Sequence, residues 1–211
     1  MSTNYFFKDL VYTESEVKEL VGSPSVRGEQ KVITEVDDQC RHFIQNSPLI
    51  VIATSSSSGA DCSPRGDAPG FVNVLDHKHL LIPERPGNRR TDSIKNLLEN
   101  STIGLLFTIP GMNETLRING KGYVSRDQTL LSQSEVNGKI PVLGIGVEVQ
   151  ECFLHCGKAF IRSQLWNPEK WPVKEQLPSP SKMLTSHINM RTVTEKDITE
   201  VLRDTYTNEL Y

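Results

Sequence analysis

The segment CSPRGDAPGFVNVLDHKHLLIPERPGNRRTDS, residues 62–93, alternates loop chemistry with strand chemistry. Two apolar runs, 71–75 and 79–83, are split by Asp76, His77 and Lys78, which predicts a β-hairpin. Ser63-Pro64-Arg65-Gly66-Asp67 precedes the hairpin. Arg85-Pro86-Gly87-Asn88-Arg89-Arg90-Thr91-Asp92-Ser93 follows it and runs into a short helical pattern. Two loops rich in Arg and Gly, at opposite ends of a hairpin, suit a ligand with a polar ring at one end and a phosphate at the other.

Working outward, residues 49–56 (LIVIATSS) form an apolar run that turns polar, expected of a strand buried on both faces. Residues 56–61 read as a turn. Pro64 makes the strand after it an edge strand or a bulged one. The pattern 91–100 predicts a short helix with Thr91 as N-cap and Ile94, Leu97 and Leu98 inward. Strands are expected at 101–109, at 115–126 with Gly120 and Gly122 marking a bulge or close approach, and at 140–156.

The flanks are helical. Thr13-Glu14-Ser15-Glu16 is a capping box opening a helix through Leu20. Residues 23–28 read as a loop. A second helix is expected over 30–46, ended before Pro48. Residues 157–166 form a helix with Lys158 and Arg162 on one face. Residues 167–181 hold four prolines and read as a loop, and a last helix spans 194–206. About six strands with interspersed short helices, in no regular βαβ rhythm, indicate a mainly β, α+β antiparallel barrel. The domain organisation expected is a helical segment 1–46, a barrel 47–172, and a loop with a helix 173–211.

The 211 residues suit one domain with terminal additions, and 36% hydrophobic with 23% charged residues is ordinary globular composition. A net charge of -3 argues against a general nucleic-acid or membrane-surface binder. No apolar run reaches the ~18 residues of a membrane span. The N-terminus lacks the pattern of a secretory signal, so a cytoplasmic setting with free Cys40, Cys62, Cys152 and Cys156 is expected.

Each candidate site has a plain alternative. Asn88, Arg89, Arg90 and Ser93 lie where a glycine turn enters a helix, suited to a phosphate monoester; the alternative is a solvated basic turn. Arg65 beside Gly66 suits the carbonyls or ring nitrogens of a planar cofactor. The alternative is a tight turn whose arginine pairs with Asp67. Lys158, Arg162, Ser163 and Trp166 form a polar-aromatic stripe, or a helix that buries its aromatics and keeps its cations in water. Cys152, His155 and Cys156 lack the spacing of a structural zinc site, so no metal is expected. No nucleophile elbow, P-loop or GxGxxG occurs, so any chemistry belongs to a cofactor.

Five motifs in order then become specific: SPRGD (63–67), IPERPGN (82–88), GLLFTIPG (104–111), ETLRING (114–120) and CGKAFIRSQLW (156–166). Over roughly residues 30–172 the chain resembles the pyridoxamine 5'-phosphate oxidase-like family of FMN-binding split barrels, in particular its bacterial SPRGD/IPxRPGN subgroup. The resemblance implies a six-stranded split barrel and a homodimer with FMN at the subunit interface. It puts Ser63, Arg65, Gly66 and Asp67 near the flavin ring or ribityl chain, and Asn88, Arg89, Arg90 and Ser93 at the phosphate. Lys158, Arg162 and Ser163 would come from the partner subunit or close the pocket. Two departures from the authentic oxidase stand out: Asn88-Arg89-Arg90 replaces its serine-arginine-lysine triplet, and its C-terminal R-L-H-D-R motif is absent. The resemblance therefore carries the cofactor and leaves the substrate open.

The function expected on this basis is an FMN-dependent oxidoreductase. It would pass hydride or electrons from a reductant such as NAD(P)H through flavin N5 to a small acceptor or oxygen. A flavin-binding carrier or sensor, and a split barrel using deazaflavin or heme, remain as alternatives. No side chain stands out as a general acid; His155 is the nearest candidate, since imidazole titrates near neutrality.

Overall fold

The computed structural model describes residues 6–190 and 192–211. They fall into two compact units, 1–32 and 33–211. The first holds helix α1 (Glu14–Val21), opened by the expected capping box, with Thr13 accepting from the Glu16 N–H and Glu16 reaching back. It also holds a short helix α2 (Val26–Gln30), capped by Ser25, where the sequence reads as a loop. Among the described residues no helix is long and apolar enough to cross a membrane.

The second unit is built on one antiparallel sheet of seven strands: β1 (Leu49–Ser56), β2 (Gly59–Gly66), β3 (Asn73–Val74), β4 (His79–Pro83), β5 (Thr102–Thr108), β6 (Thr115–Ser125) and β7 (Gly144–His155). Their order is β2-β1-β5-β6-β7-β4-β3. Six longer strands carry the architecture, and the two-residue β3 only extends the β4 edge. The sheet does not close on itself, consistent with a split barrel. Pro64 lies on edge strand β2, where its missing N–H costs no ladder bond.

Three expectations change. The helix expected over 30–46 is the shorter α3 (Asp38–Gln45). Residues before it are held outward, because Ile33 exchanges both backbone hydrogen bonds with Cys152 and the Val36 N–H reaches the His77 carbonyl. Asp37 then caps α3 by accepting from the Cys40 N–H at 2.8 Å. Strand β1 is buried on one face only: Ile50, Ile52 and Thr54 point inward and Leu49 and Ala53 outward. An unbroken apolar run does not distinguish these cases. Past the short helices α5 (Gln128–Leu131) and α6 (Lys158–Ser163), the 167–181 loop ends early, in helix α7 (Pro180–Ile188), with Ser179 as N-cap and Pro180 at its first position.

Helix α4 (Asp92–Glu99) buries Ile94 and Leu97, as expected, but Leu98 is 75% exposed. Ser93 and Asn96 take the inward face instead, and the Asn96 amide donates to the buried Thr54 hydroxyl at 3.1 Å. That bond satisfies a polar pair which would be costly to bury unpaired. Leu97 seats against β6 where Gly122 has no side chain; a Cβ there would stand 2.8 Å from it. This contact helps set α4 over the sheet and its N-terminus beside β2.

The core joins strand residues such as Phe107, Ile118, Ile145 and Val147 to Phe43 and Ile44 of α3 and to Leu97. β6 and β7 share the longest ladder, interrupted by a bulge. Gly120 faces Val149 and Asn119 faces Glu151, which leaves Gln150 as the extra residue. A Cβ on Gly120 would run into the Glu148 carbonyl oxygen. Gly120→Ala is therefore expected to cost about 1–3 kcal/mol by forcing the two backbones apart. Urea unfolding measures it; an unchanged midpoint would mean that the bulge relaxes freely.

Candidate functional site

Strand alternation puts Asp61, Ser63 and Arg65 in one row on β2, half-buried, while Cys62 and Pro64 face away. SPRG is thus strand, not a tight turn. The row faces the start of α4. Ser93 Oγ donates to Asp61 Oδ2 at 2.6 Å, Ser63 Oγ to the same oxygen at 3.1 Å, and the two hydroxyls lie 2.8 Å apart. Arg65 Nη1 donates to Ser63 Oγ at 3.1 Å and to the Pro64 carbonyl at 2.9 Å. A continuous polar chain therefore runs from guanidinium through hydroxyl to carboxylate and on to the helix.

The approach to α4 has unusual backbone geometry. Arg89 (φ 59°) and Thr91 (φ 54°) are both left-handed. Thr91 occupies the N-cap position without capping: its hydroxyl donates to the Arg90 carbonyl, so no side chain covers the first helical N–H groups from that residue. The amides and the helix dipole therefore remain available to an anion. Arg90, 74% exposed, is steered by Asp92, 2.8 Å from its Nε. The hydrogen bond and charge of Asp92 hold Arg90 still more firmly cationic, and Asp61 adds to the same field. The Arg90 N–H donates to Asn88 Oδ1 at 3.0 Å, which orders the turn.

The charges of the two loops pair crosswise. Arg65 does not pair with Asp67. It makes a two-pronged contact with Glu84, Nε to Oε2 at 3.1 Å and Nη2 to Oε1 at 3.4 Å. Asp67 instead accepts from Arg85 Nε at 2.7 Å, from the Ala68 N–H at 2.7 Å and from the Tyr211 hydroxyl at 2.7 Å. Its side chain is only 3% exposed. Burial alone would raise its pKa, but the Tyr211 hydroxyl, the Ala68 N–H and Arg85 together hold it below the usual carboxylate range. Arg85 also donates to the Ser134 carbonyl and stacks over the Tyr211 ring at 5.5 Å. Gly66 has a packing reason of its own, since a Cβ there would press on the Pro48 carbonyl at 3.3 Å.

The structure thus gathers Ser63, Arg65 and Ser93 into one polar cluster where β2 meets α4, places Asn88, Arg89 and Arg90 on the loop that enters α4, and commits Asp67 to a tie between loops. Lys158, Arg162 and Ser163 lie on α6 (Lys158–Ser163), exposed. Among the described residues they make no hydrogen bond or ion pair to that cluster; the Ser163 hydroxyl donates to the Phe160 carbonyl. Trp166 is anchored by stacking on Phe160, centroids 5.8 Å apart, and by donating to the Met112 carbonyl at 2.8 Å. His155 is the exposed last residue of β7, paired with Thr115 in the ladder, and its ring nitrogen lies 3.4 Å from the Cys156 carbonyl oxygen. All four cysteines are free, Cys40 and Cys152 buried, Cys62 and Cys156 exposed.

Sequence reasoning missed Asp61, Glu84, Arg85 and Tyr211. Asp61 had a signal, being two residues from Ser63 and hence on the same strand face. Glu84 and Arg85 sit inside the IPERPGN motif but next to better-known chemistry. Tyr211 had no local signal.

Residues 36–156, which include the whole β2–α4 cluster, match the family model for pyridoxamine 5'-phosphate oxidase. The chain belongs to that family. No curated protein matches this chain. Solved structures similar to this family member include HupZ of Group A Streptococcus, at 15% identity over 56% of this chain and 93% of that one, TM-score 0.47. General stress protein 26 of Bacillus anthracis str. Sterne has 14% identity over 54% and 88%, TM-score 0.42. An FMN-binding protein from Syntrophomonas wolfei subsp. wolfei has 6% identity over 55% and 88%, TM-score 0.41.

Proposed function

We propose that the protein binds FMN and works as an FMN-dependent oxidoreductase. The observation that carries this reading is the polar cluster where β2 meets the start of α4. It presents a hydroxyl-and-guanidinium row beside a helix start whose N-cap side chain leaves the amides uncovered. The residues present fit a mononucleotide. Arg89, Arg90 and the first amides of α4 would hold its phosphate. Ser63 and Arg65 would contact the ribityl chain or ring, with Arg65 kept in place by Glu84. When bound, FMN supplies hydride or electron transfer.

The chain's own part is to bind, orient and shield. Among the described residues the exposed Lys158, Arg162 and Ser163 make no bond to the β2–α4 cluster of their own chain, which suits a homodimer in which α6 of one copy completes the site of the other. The four free thiols suit a reducing, cytoplasmic setting. The electron donor we propose is NAD(P)H, with a small molecule or oxygen as acceptor.

The test is direct. Purified protein should be yellow, or become so with added FMN, and release a compound of FMN's mass and absorption spectrum. Holoprotein should then oxidise NADH or NADPH in the presence of acceptors. Colourless protein that ignores FMN would overturn the reading. Tight FMN without turnover on either nicotinamide would instead make it a carrier or sensor.

A further inference from the structure

Asp61 has no role in the reading above, yet it sits at the centre of the β2–α4 polar cluster. Its Oδ2 accepts from Ser93 and Ser63 at 2.6 and 3.1 Å, so the hydroxyl nearest the helix start is already spent on a carboxylate. Ser93 is almost wholly buried and the second residue of α4, which brings Asp61 to the positive end of the helix. Asp61 also acts on the charge of Arg90. A resident carboxylate thus occupies hydrogen-bond donors that an incoming phosphate would otherwise take.

We infer that Asp61 is a built-in counter-anion that sets the specificity of the phosphate end of the site. Because its carboxylate keeps the Ser63 and Ser93 hydroxyls, a ligand's phosphate is left with Arg89, Arg90 and the α4 amides, and it binds beside a like charge. Inorganic phosphate and small phosphate esters draw all their affinity from this end, so the same penalty leaves them with little net binding. A mononucleotide that also contacts Arg65 recovers affinity from its other end and is selected. The inference rests on the FMN reading for its ligand, but not for its charge argument.

The experiment is titration of wild type, Asp61→Asn and Asp61→Ser with FMN, riboflavin and inorganic phosphate at one fixed ionic strength. Asn keeps the shape and one acceptor oxygen while removing the charge; Ser is smaller, so a packing fault in one variant is checked by the other. Both variants are expected to bind FMN about tenfold more tightly, about 1.4 kcal/mol, because a like charge beside the phosphate is removed. Inorganic phosphate should gain similarly and riboflavin should not change. Weaker binding of both flavins would overturn the inference and make Asp61 an acceptor for ligand hydroxyls. Unchanged FMN and phosphate affinities would overturn it outright. Wild type that binds neither flavin would overturn the FMN reading instead. The phosphate titrations would then still decide Asp61, a gain in both variants supporting it and no gain overturning it.

Discussion

Arg85→Ala is expected to lower the free energy of unfolding by about 3 kcal/mol, the lower end for breaking a buried ion pair. The pair is shielded, with side chains 15% and 3% exposed and a 2.7 Å contact. Removing the guanidinium leaves the Asp67 carboxylate buried with only the Tyr211 hydroxyl and the Ala68 N–H. The cost stays at the lower end because those two donors remain. Urea unfolding should show a reduced midpoint with an unchanged slope. A loss below about 1 kcal/mol would class the pair with ordinary surface bridges. Tyr211→Phe should give a smaller loss.

The same carboxylate makes a pH prediction. Its pKa in the folded protein lies below the ordinary value of ~3.9. A group depressed on folding adds stability above its unfolded pKa and loses it as pH falls through its folded one. The stability gap between wild type and Asp67→Asn should therefore be full at neutral pH. It should close as pH drops below the ordinary carboxylate range. A gap that does not depend on pH there would mean that the charge of Asp67 is not what its partners stabilise.

Arg90→Ala is expected to weaken FMN binding about ten- to hundredfold, the effect of losing one charge-assisted contact to phosphate. Its fold should be unaffected, because the side chain is 74% exposed and its ion pair with Asp92 lies at the surface. Titration by flavin fluorescence, alongside thermal unfolding, separates the two effects. An unchanged dissociation constant in a folded variant would put the phosphate elsewhere. A collapse of stability would make Arg90 part of the scaffold.

These two arginines show where reading the chain was sufficient and where it was not. The place of Arg90 on a loop entering α4 was legible because a glycine turn running into a helix is a local pattern, and the phosphate contact proposed for it builds on that place. The β2 row was legible once alternation was applied from Ser63 to Arg65. Arg85 was not. The bland alternative for SPRGD paired Arg65 with Asp67, two residues away, whereas each residue finds its partner in the other loop, 19 and 18 positions along. Leu98 failed similarly: an apolar residue fits an inward face by periodicity, but the face was taken by Ser93 and Asn96, whose partners Asp61 and Thr54 lie on other strands.

Local rules therefore reached far. Turn residues, alternation and the order of five motifs sufficed for an α+β antiparallel sheet, its edge strand at Pro64, the bulge at Gly120 and the family. All of these depend on backbone preferences and on side chains a few residues apart. Folding alone settled which charge meets which: Arg65 with Glu84, Arg85 with Asp67, and Tyr211 with Asp67 across 144 positions. The reason is physical. Periodicity acts along the chain, whereas an ion pair or a buried hydroxyl is decided by distances of about 3 Å across the sheet, which no spacing in the chain encodes.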